Sequence, residues 1–155
     1  MKFTIPKTLQ SEHKALHDRL RQATEVGGEV DEAAKTLAHL THPHFVKEDE
    51  FALPPLGLLV ALARGEVNAE MAAVLELTDR LDTGLPRTLE EHRSSIEALS
   101  KLRNTAARAG HDNIVAFAET LIEHAQNEEA VIYPAAILVG QVVRQRLTIR
   151  TEALA

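Results

Sequence analysis

Three residues recur in the same order in both halves of the chain: His13, His44 and Glu48, then His92, His124 and Glu128. His44 follows His13 by 31 residues and His124 follows His92 by 32, and the second set trails the first by 79 to 80 positions. Each half therefore offers a lone histidine and a His-x-x-x-Glu pair. Imidazole nitrogens and carboxylate oxygens are donors for transition metals, and residues four apart share one face of a helix. With eight histidines in the chain, roughly one His-x-x-x-Glu spacing arises by chance, so position matters more than the match. All six residues occupy stripe positions where a leucine would ordinarily sit. Burying two carboxylates in an apolar interior is expensive unless they are compensated, and a cation among them removes the cost.

The ligand count constrains the metal. Four imidazoles and two carboxylates exceed what one tetrahedral zinc accepts, but they suit two ions about 3.5 to 4 Å apart with each glutamate able to bridge. Mixed nitrogen and oxygen ligation with open positions favours iron, with manganese next and zinc as a further substitute. The Glu-x-x-His pattern of ferritin-like carboxylate centres is not found at these positions.

The elements that must position these donors read as helices, because apolar residues recur at intervals of three and four and β-branched alternation is nearly absent. A first helix is expected from about Thr8 to about Glu25, with Leu9, His13, Leu16 and Leu20 on one stripe, and Gly27-Gly28 ending it. A second begins near Asp31 and carries Leu37, Leu40, His44, Glu48 and Phe51 inward, distorted at Pro43 and broken or bent at Pro54-Pro55. Asn68 to Arg80 reads as helix, with Gly84 and Pro86 as a kink or short joint before Leu89, His92, Ile96, Leu99 and Arg103. The last long helix begins near Asp112, read as its N-cap, and places Ile114, Phe117, Leu121, His124, Glu128, Val131 and Ala135 inward. Together these make an all-α, up-down-up-down four-helix bundle with a kinked or broken third helix, a single domain over residues 1–155.

Composition fits that frame. A chain of 155 residues that is 45% hydrophobic and 26% charged has enough material for one core. The absence of cysteine excludes disulfides, thiolate zinc sites and thiolate-ligated iron–sulfur clusters. A net charge of −6 argues against nucleic acid or an anionic membrane as partner. The apolar runs, at Leu53 to Ala63 and Ala135 to Val139, are far shorter than the roughly 20 residues that span a bilayer. Met1 to Leu9 lacks the apolar core of a signal peptide, so a cytoplasmic location is expected.

At this level of detail the chain resembles the hemerythrin-like proteins with an HHE cation-binding domain. The resemblance is carried by Ser11-Glu12-His13-Lys14-Ala15-Leu16, by Pro43-His44-Phe45-Val46-Lys47-Glu48-Asp49-Glu50 with Leu53-Pro54 behind it, by Glu91-His92-Arg93, and by His124-Ala125-Gln126-Asn127-Glu128-Glu129 followed by Ile132-Tyr133-Pro134. It spans residues 11 to 134 and matches the family order of lone His, His-x-x-x-Glu, lone His, His-x-x-x-Glu. The resemblance implies two non-haem iron ions, oxo- or hydroxo-bridged and also bridged by the two carboxylates, inside a hemerythrin-like bundle. It further implies a small diatomic or peroxide ligand, since members bind dioxygen, sense oxygen or redox state, handle iron, or react with peroxide and nitric oxide. The oxygen carriers have a His-x-x-x-His pair on the third helix, whereas here Ile96 lies four residues after His92 and Thr88 four before. The cysteine-bearing N-terminal segment of the iron–sulfur repair proteins is also missing.

His17 follows His13 by one turn and aligns with Ile96 in the repeat, so it is the candidate seventh ligand or a supporting residue. His39, His42 and His111 fall off the stripes or at a helix start and are expected at the surface. Glu12, Asp49, Glu91 and Glu129 flank the ligands and are expected to be solvated. Tyr133 lies about 140° around an ideal helix from Glu128, which turns it off the stripe and leaves it a poor phenolate candidate.

Three classes of function follow from this reading: a di-iron binding or sensing module, a di-iron enzyme with catalase-like consumption of peroxide, and a metal-free helical interaction domain, which the buried donors disfavour. No acid–base constellation for an organic substrate stands beside the ligands, so no catalytic residue is assigned. A sensor without an attached output domain would require a protein partner.

Overall fold

The computed structural model describes residues 3–153. Its helices are α1 (Lys7–Ala23), α2 (Gly28–Lys47), the short α3 (Leu59–Ala63), α4 (Val74–Arg108), α5 (Asp112–Asn127) and α6 (Tyr133–Ala153). A five-residue π-helical turn follows α2 (Glu48–Ala52) and another joins α5 to α6 (Glu128–Ile132), while 3₁₀ turns at Pro54–Leu58 and Ala69–Ala73 flank α3. No strand is present among the described residues. The chain is an all-α four-helix bundle: α1 packs against α2 and α5, and α4 packs against the same two from the other side. The α6 helix continues α5 past the bundle and lies against α4 and the α3 region. No described helix is long and apolar enough to cross a membrane.

Two glycines make the first reversal. Gly27 and Gly28 take φ of 78° and 65°, a region that costs other residues a Cβ clash, and α2 starts at Gly28, three residues before the expected Asp31. At the start of α4's 3₁₀ lead-in, Asn68 accepts from the amides of Glu70 and Met71 at 3.0 and 3.3 Å, an ordinary side-chain cap. Asp112 is not the cap of α5. It is the first helical residue, and His111 occupies the cap position without a side-chain bond.

Of the kink or break expected in the third helix, the break is absent: α4 is one continuous helix of 35 residues that contains Gly84 and Pro86. Proline removes one amide donor, leaving the carbonyl four residues earlier without its partner. Here that residue, Asp82, is exposed, as is Pro86, so water can satisfy the carbonyl. The neighbouring turn is held by packing of Thr78 and Leu81, both buried. At the crossing of α4 with α6, a Cβ on Gly140 would stand 2.1 Å from Thr78 Oγ1 and 2.7 Å from its Cβ, so glycine sets the approach of the two helices.

The core is divided by a polar layer. On one side lies a cluster including Leu16, Leu20, Leu37, Phe45, Leu99, Leu102, Phe117 and Leu121. On the other lie Phe51, Leu53, Leu56, Leu81, Tyr133 and Ala136. Between them stand His13, His44, Glu48, His92, His124 and Glu128, each at most 6% exposed. Two expected stripe positions face outward instead: Leu40 is 39% exposed, with Thr41 buried in its place, and Val131 is 54% exposed.

Candidate metal centre

α1 brings in His13, the end of α2 His44 and Glu48, the middle of α4 His92, and the end of α5 His124 and Glu128. Their donor atoms form two groups, each within 4.8 Å: His44, Glu48, His92 and Glu128 in one, and His13, His124 and Glu128 in the other. Each group joins the lone histidine of one half to the histidine pair member of the other half. Glu128 belongs to both groups, and Glu48 belongs to the first. Glu128 Oε1 lies 2.7 Å from His124 Nε2 and 3.4 Å from His13 Nε2, while its Oε2 lies 3.3 Å from His92 Nε2. Glu48 Oε1 lies 3.3 Å from His44 Nε2, and its Oε2 is 3.9 Å from His13 Nε2.

Several atoms in this layer have no hydrogen bond to explain their burial. Glu48 Oε2 and Glu128 Oε1 are both buried without a hydrogen-bond partner; the 2.7 Å approach of His124 Nε2 to Glu128 Oε1 lacks hydrogen-bond alignment. The Nε2 atoms of His44 and His92 face each other at 2.8 Å, and those of His13 and His124 at 3.2 Å. Buried polar atoms are normally paired, and facing lone pairs repel unless a proton or cation lies between them. The donors therefore fit a bound metal cation held by imidazoles and carboxylates.

A second set of carboxylates stands behind the imidazoles. His44 Nδ1 faces Glu91 Oε2 at 3.3 Å, His92 Nδ1 faces Glu129 Oε1 at 2.9 Å, and His124 Nδ1 faces Glu12 Oε1 at 3.1 Å. His13 Nδ1 is 3.7 Å from Asp49 Oδ1 and has no hydrogen bond. Such partners fix the tautomer and ring orientation of a ligating histidine and raise its basicity. The four carboxylates, expected to be simply solvated, are partly exposed yet reach across to another helix. The signal was in the repeat: Glu12 and Glu91 each precede a lone histidine, and Asp49 and Glu129 each follow a ligand glutamate.

Sequence reasoning also misplaced Tyr133. It is fully buried, its hydroxyl donates to Glu48 Oε1, and the oxygen lies 3.1 and 3.3 Å from Nε2 of His92 and His44. The cause is the π turn. The Tyr133 amide bonds the carbonyl of Glu128, five residues back, and the Leu53 amide bonds that of Glu48 at 2.9 Å. One extra residue per turn moves position 133 onto the stripe and Val131 off it. Both π turns run into a proline, Pro54 and Pro134, whose ring clashes with the carbonyl four residues back in a regular helix; widening the turn relieves that contact. Leu53 and Tyr133 are equivalent in the repeat, so the two halves of the centre differ by one hydroxyl.

Electrostatics follow from these contacts. Burial opposes a charged His124, but Glu128 and Glu12 outweigh it and push the imidazole up to about 9. His44 is raised in the same way, burial being overcome by Glu48, Glu128 and Glu91. Burial works against an ionised Glu128, yet the imidazoles of His124, His13 and His92 hold its carboxyl well below the usual range. Protons thus stand in for positive charge, and a bound cation competes with them. Burial, then the charges of Glu48 and Glu128, push the Tyr133 phenol up, so it remains an O–H donor.

His17 lies outside both groups of converging donors. It is half-buried, its ring tilted against Phe45 at 4.3 Å between centroids, and burial and His13 lower its pKa. His39 and His42 are exposed. A groove of about 530 Å³ reaches His13 and is lined by Ile5, Gln10, Ser11, Lys14, His17 and Asp49.

The chain matches the family model described as the Hemerythrin HHE cation binding domain over residues 4–136. No curated protein and no solved structure matches it.

Proposed function

This chain belongs to the hemerythrin HHE cation-binding domain family, and on that premise we propose that its buried His/Glu cluster holds two non-haem iron ions and reacts with a small oxidant, dioxygen or peroxide. The observation that carries this reading is the shortfall of donors. Seven ligand contacts from six side chains, with Glu128 counted in both groups, leave open positions on two ions that each prefer about six. When bound and reduced, such a pair supplies two electrons to an oxidant.

The protein residues have separable roles. Glu128 belongs to both donor groups and Glu48 to one, and both carboxylates would offset the cationic charge. Glu12, Glu91 and Glu129 hold three imidazoles by Nδ1, so that Nε2 points inward. The apolar clusters above and below keep bulk water from the layer. Tyr133 presents an O–H at the His44–His92 side, where it orients Glu48. Manganese or zinc would fit the same donors.

A centre of this composition, with Ile96 where the oxygen carriers have another histidine, is expected to be oxidised irreversibly by dioxygen and to consume peroxide at a modest rate. The check is optical: the anaerobically reduced, iron-loaded protein is exposed to dioxygen and then to vacuum, and peroxide loss is followed separately. A long-lived adduct that releases dioxygen under vacuum would overturn the oxidant-reacting reading in favour of carriage. Turnover of peroxide over many equivalents would place the protein with catalase-like enzymes; nitric oxide is the remaining diatomic ligand to be assayed in the same cell.

A further inference from the structure

The two ion positions are enclosed unequally. At the His44–His92 side, Tyr133 closes the layer from above and is fully buried. Outside it, Glu91 is bracketed by Lys47 Nζ at 2.5 Å and Arg87 Nε at 3.5 Å, and this pair of positive charges guards that flank. In the repeat the residue equivalent to Tyr133 is Leu53, which has no hydroxyl to offer. At the His13–His124 side the 530 Å³ groove opens onto His13, whose side chain is 5% exposed and whose Nδ1 has no hydrogen-bond partner. Among the four imidazoles, only His13 lacks a carboxylate within hydrogen-bond distance of its Nδ1, Asp49 Oδ1 being 3.7 Å away. The ring least restrained by an outer partner is therefore the one at the groove.

The groove is also suited to a cation. Lys14 lines it, but its ammonium is tied to Asp18 at 2.7 Å, which leaves little net positive charge. Asp49 is 56% exposed at its side chain, and its sequence neighbour Glu48 has its unpartnered Oε2 buried in the layer. Carboxylate, imidazole and the inner carboxylate thus stand in succession from solvent to centre. A larger groove, about 740 Å³, lies between residues 28–36 and 101–108 and touches none of the six donors.

We propose that the groove lined by Gln10, Ser11, His17 and Asp49 is the port through which a divalent cation reaches and leaves the His13–His124 position, with Asp49 and His17 as capture residues and His13 as the ligand that swings. The proposal rests on the two-ion reading above. It explains a half-buried histidine outside both donor groups and an outer carboxylate that stops short of its imidazole. The second position fills by transfer past Glu128, which belongs to both groups.

The test follows cobalt(II) uptake by the metal-free protein in stopped flow, and cobalt(II) loss to EDTA, using the d–d absorption as the signal. Asp49→Asn removes the capture charge, Ser11→Trp fills the groove, and Glu32→Gln, in the distant groove, is the control. The expected result is a plateau of two ions in every protein, with uptake and loss slowed about tenfold in Asp49→Asn and Ser11→Trp and unchanged in Glu32→Gln. Wild-type rates in both groove variants would overturn the port; should Ser11→Trp not fold, Gln10→Lys, which sets a positive charge at the mouth, takes its place. A wild-type plateau of one ion or none contradicts the two-ion reading instead, whatever the rates.

Discussion

His44→Ala or Glu128→Ala lowers the melting temperature of the metal-loaded protein by about 10 °C and leaves the metal-free protein nearly unchanged. A ligand that binds the folded state alone stabilises it by about 3 to 4 kcal/mol at 100 to 1,000 times its dissociation constant, and about 2 to 4 °C accompanies each kcal/mol in a domain of this size. Losing a ligand of the centre forfeits that linkage. In the metal-free protein the same side chains form a crowded polar layer with unpartnered oxygens, so removing one of them relieves about as much as the vacated space costs. Parallel melting curves of loaded and metal-free protein decide the matter. Equal destabilisation of both forms by either change would assign these residues to packing and not to metal.

Tyr133→Phe has the opposite signature. Its ring packs with Phe51, Leu53, Leu56 and Leu81 and phenylalanine retains that packing, but the donor to Glu48 is lost. A buried acceptor left without its donor costs about 1 to 3 kcal/mol. In the metal-free protein His44 Nε2, 3.3 Å from that oxygen, is a longer and weaker partner than the lost hydroxyl, so the melting temperature should fall by about 2 to 12 °C. In the loaded protein a cation satisfies the same carboxylate, and the fall should be less than half as large. Equal losses in the two forms, or a loss confined to the loaded form, would contradict the role of the hydroxyl as a partner for Glu48.

Most of the helical frame was legible because burial imposes a three-to-four period on the sequence, and the stripe positions of His13, His44, Glu48, His92, His124 and Glu128 followed from that period. The misplacing of Val131 and Tyr133 has one cause: a projection at 100° per residue assumes an unbroken α-helix. The π turns after Glu48 and Glu128 insert a residue, so Val131 turned outward and Tyr133 inward. A cue existed, since Leu53-Pro54 and Tyr133-Pro134 occupy equivalent places in the repeat and a proline six residues after each ligand glutamate calls for a wider turn.

The outer carboxylates were hidden for another reason. A helix stripe says which residues face the core, not which edge residues reach a neighbouring helix, and Glu12, Glu91 and Glu129 meet histidines 112, 47 and 37 positions away. The third helix was read as kinked or jointed at Gly84 and Pro86 because local propensity was given more weight than packing. Contacts of α4 with α2, α5 and α6 keep it continuous through a residue that would end an isolated helix.

The number of ferrous ions taken up per chain is the decisive quantity. Metal-free protein titrated anaerobically with iron(II), then desalted and analysed for iron and protein, should retain two ions per chain, falling to one or fewer in His44→Ala and Glu128→Ala. Retention of at most one iron by the unmodified protein would contradict a two-ion centre built from His13, His44, Glu48, His92, His124 and Glu128.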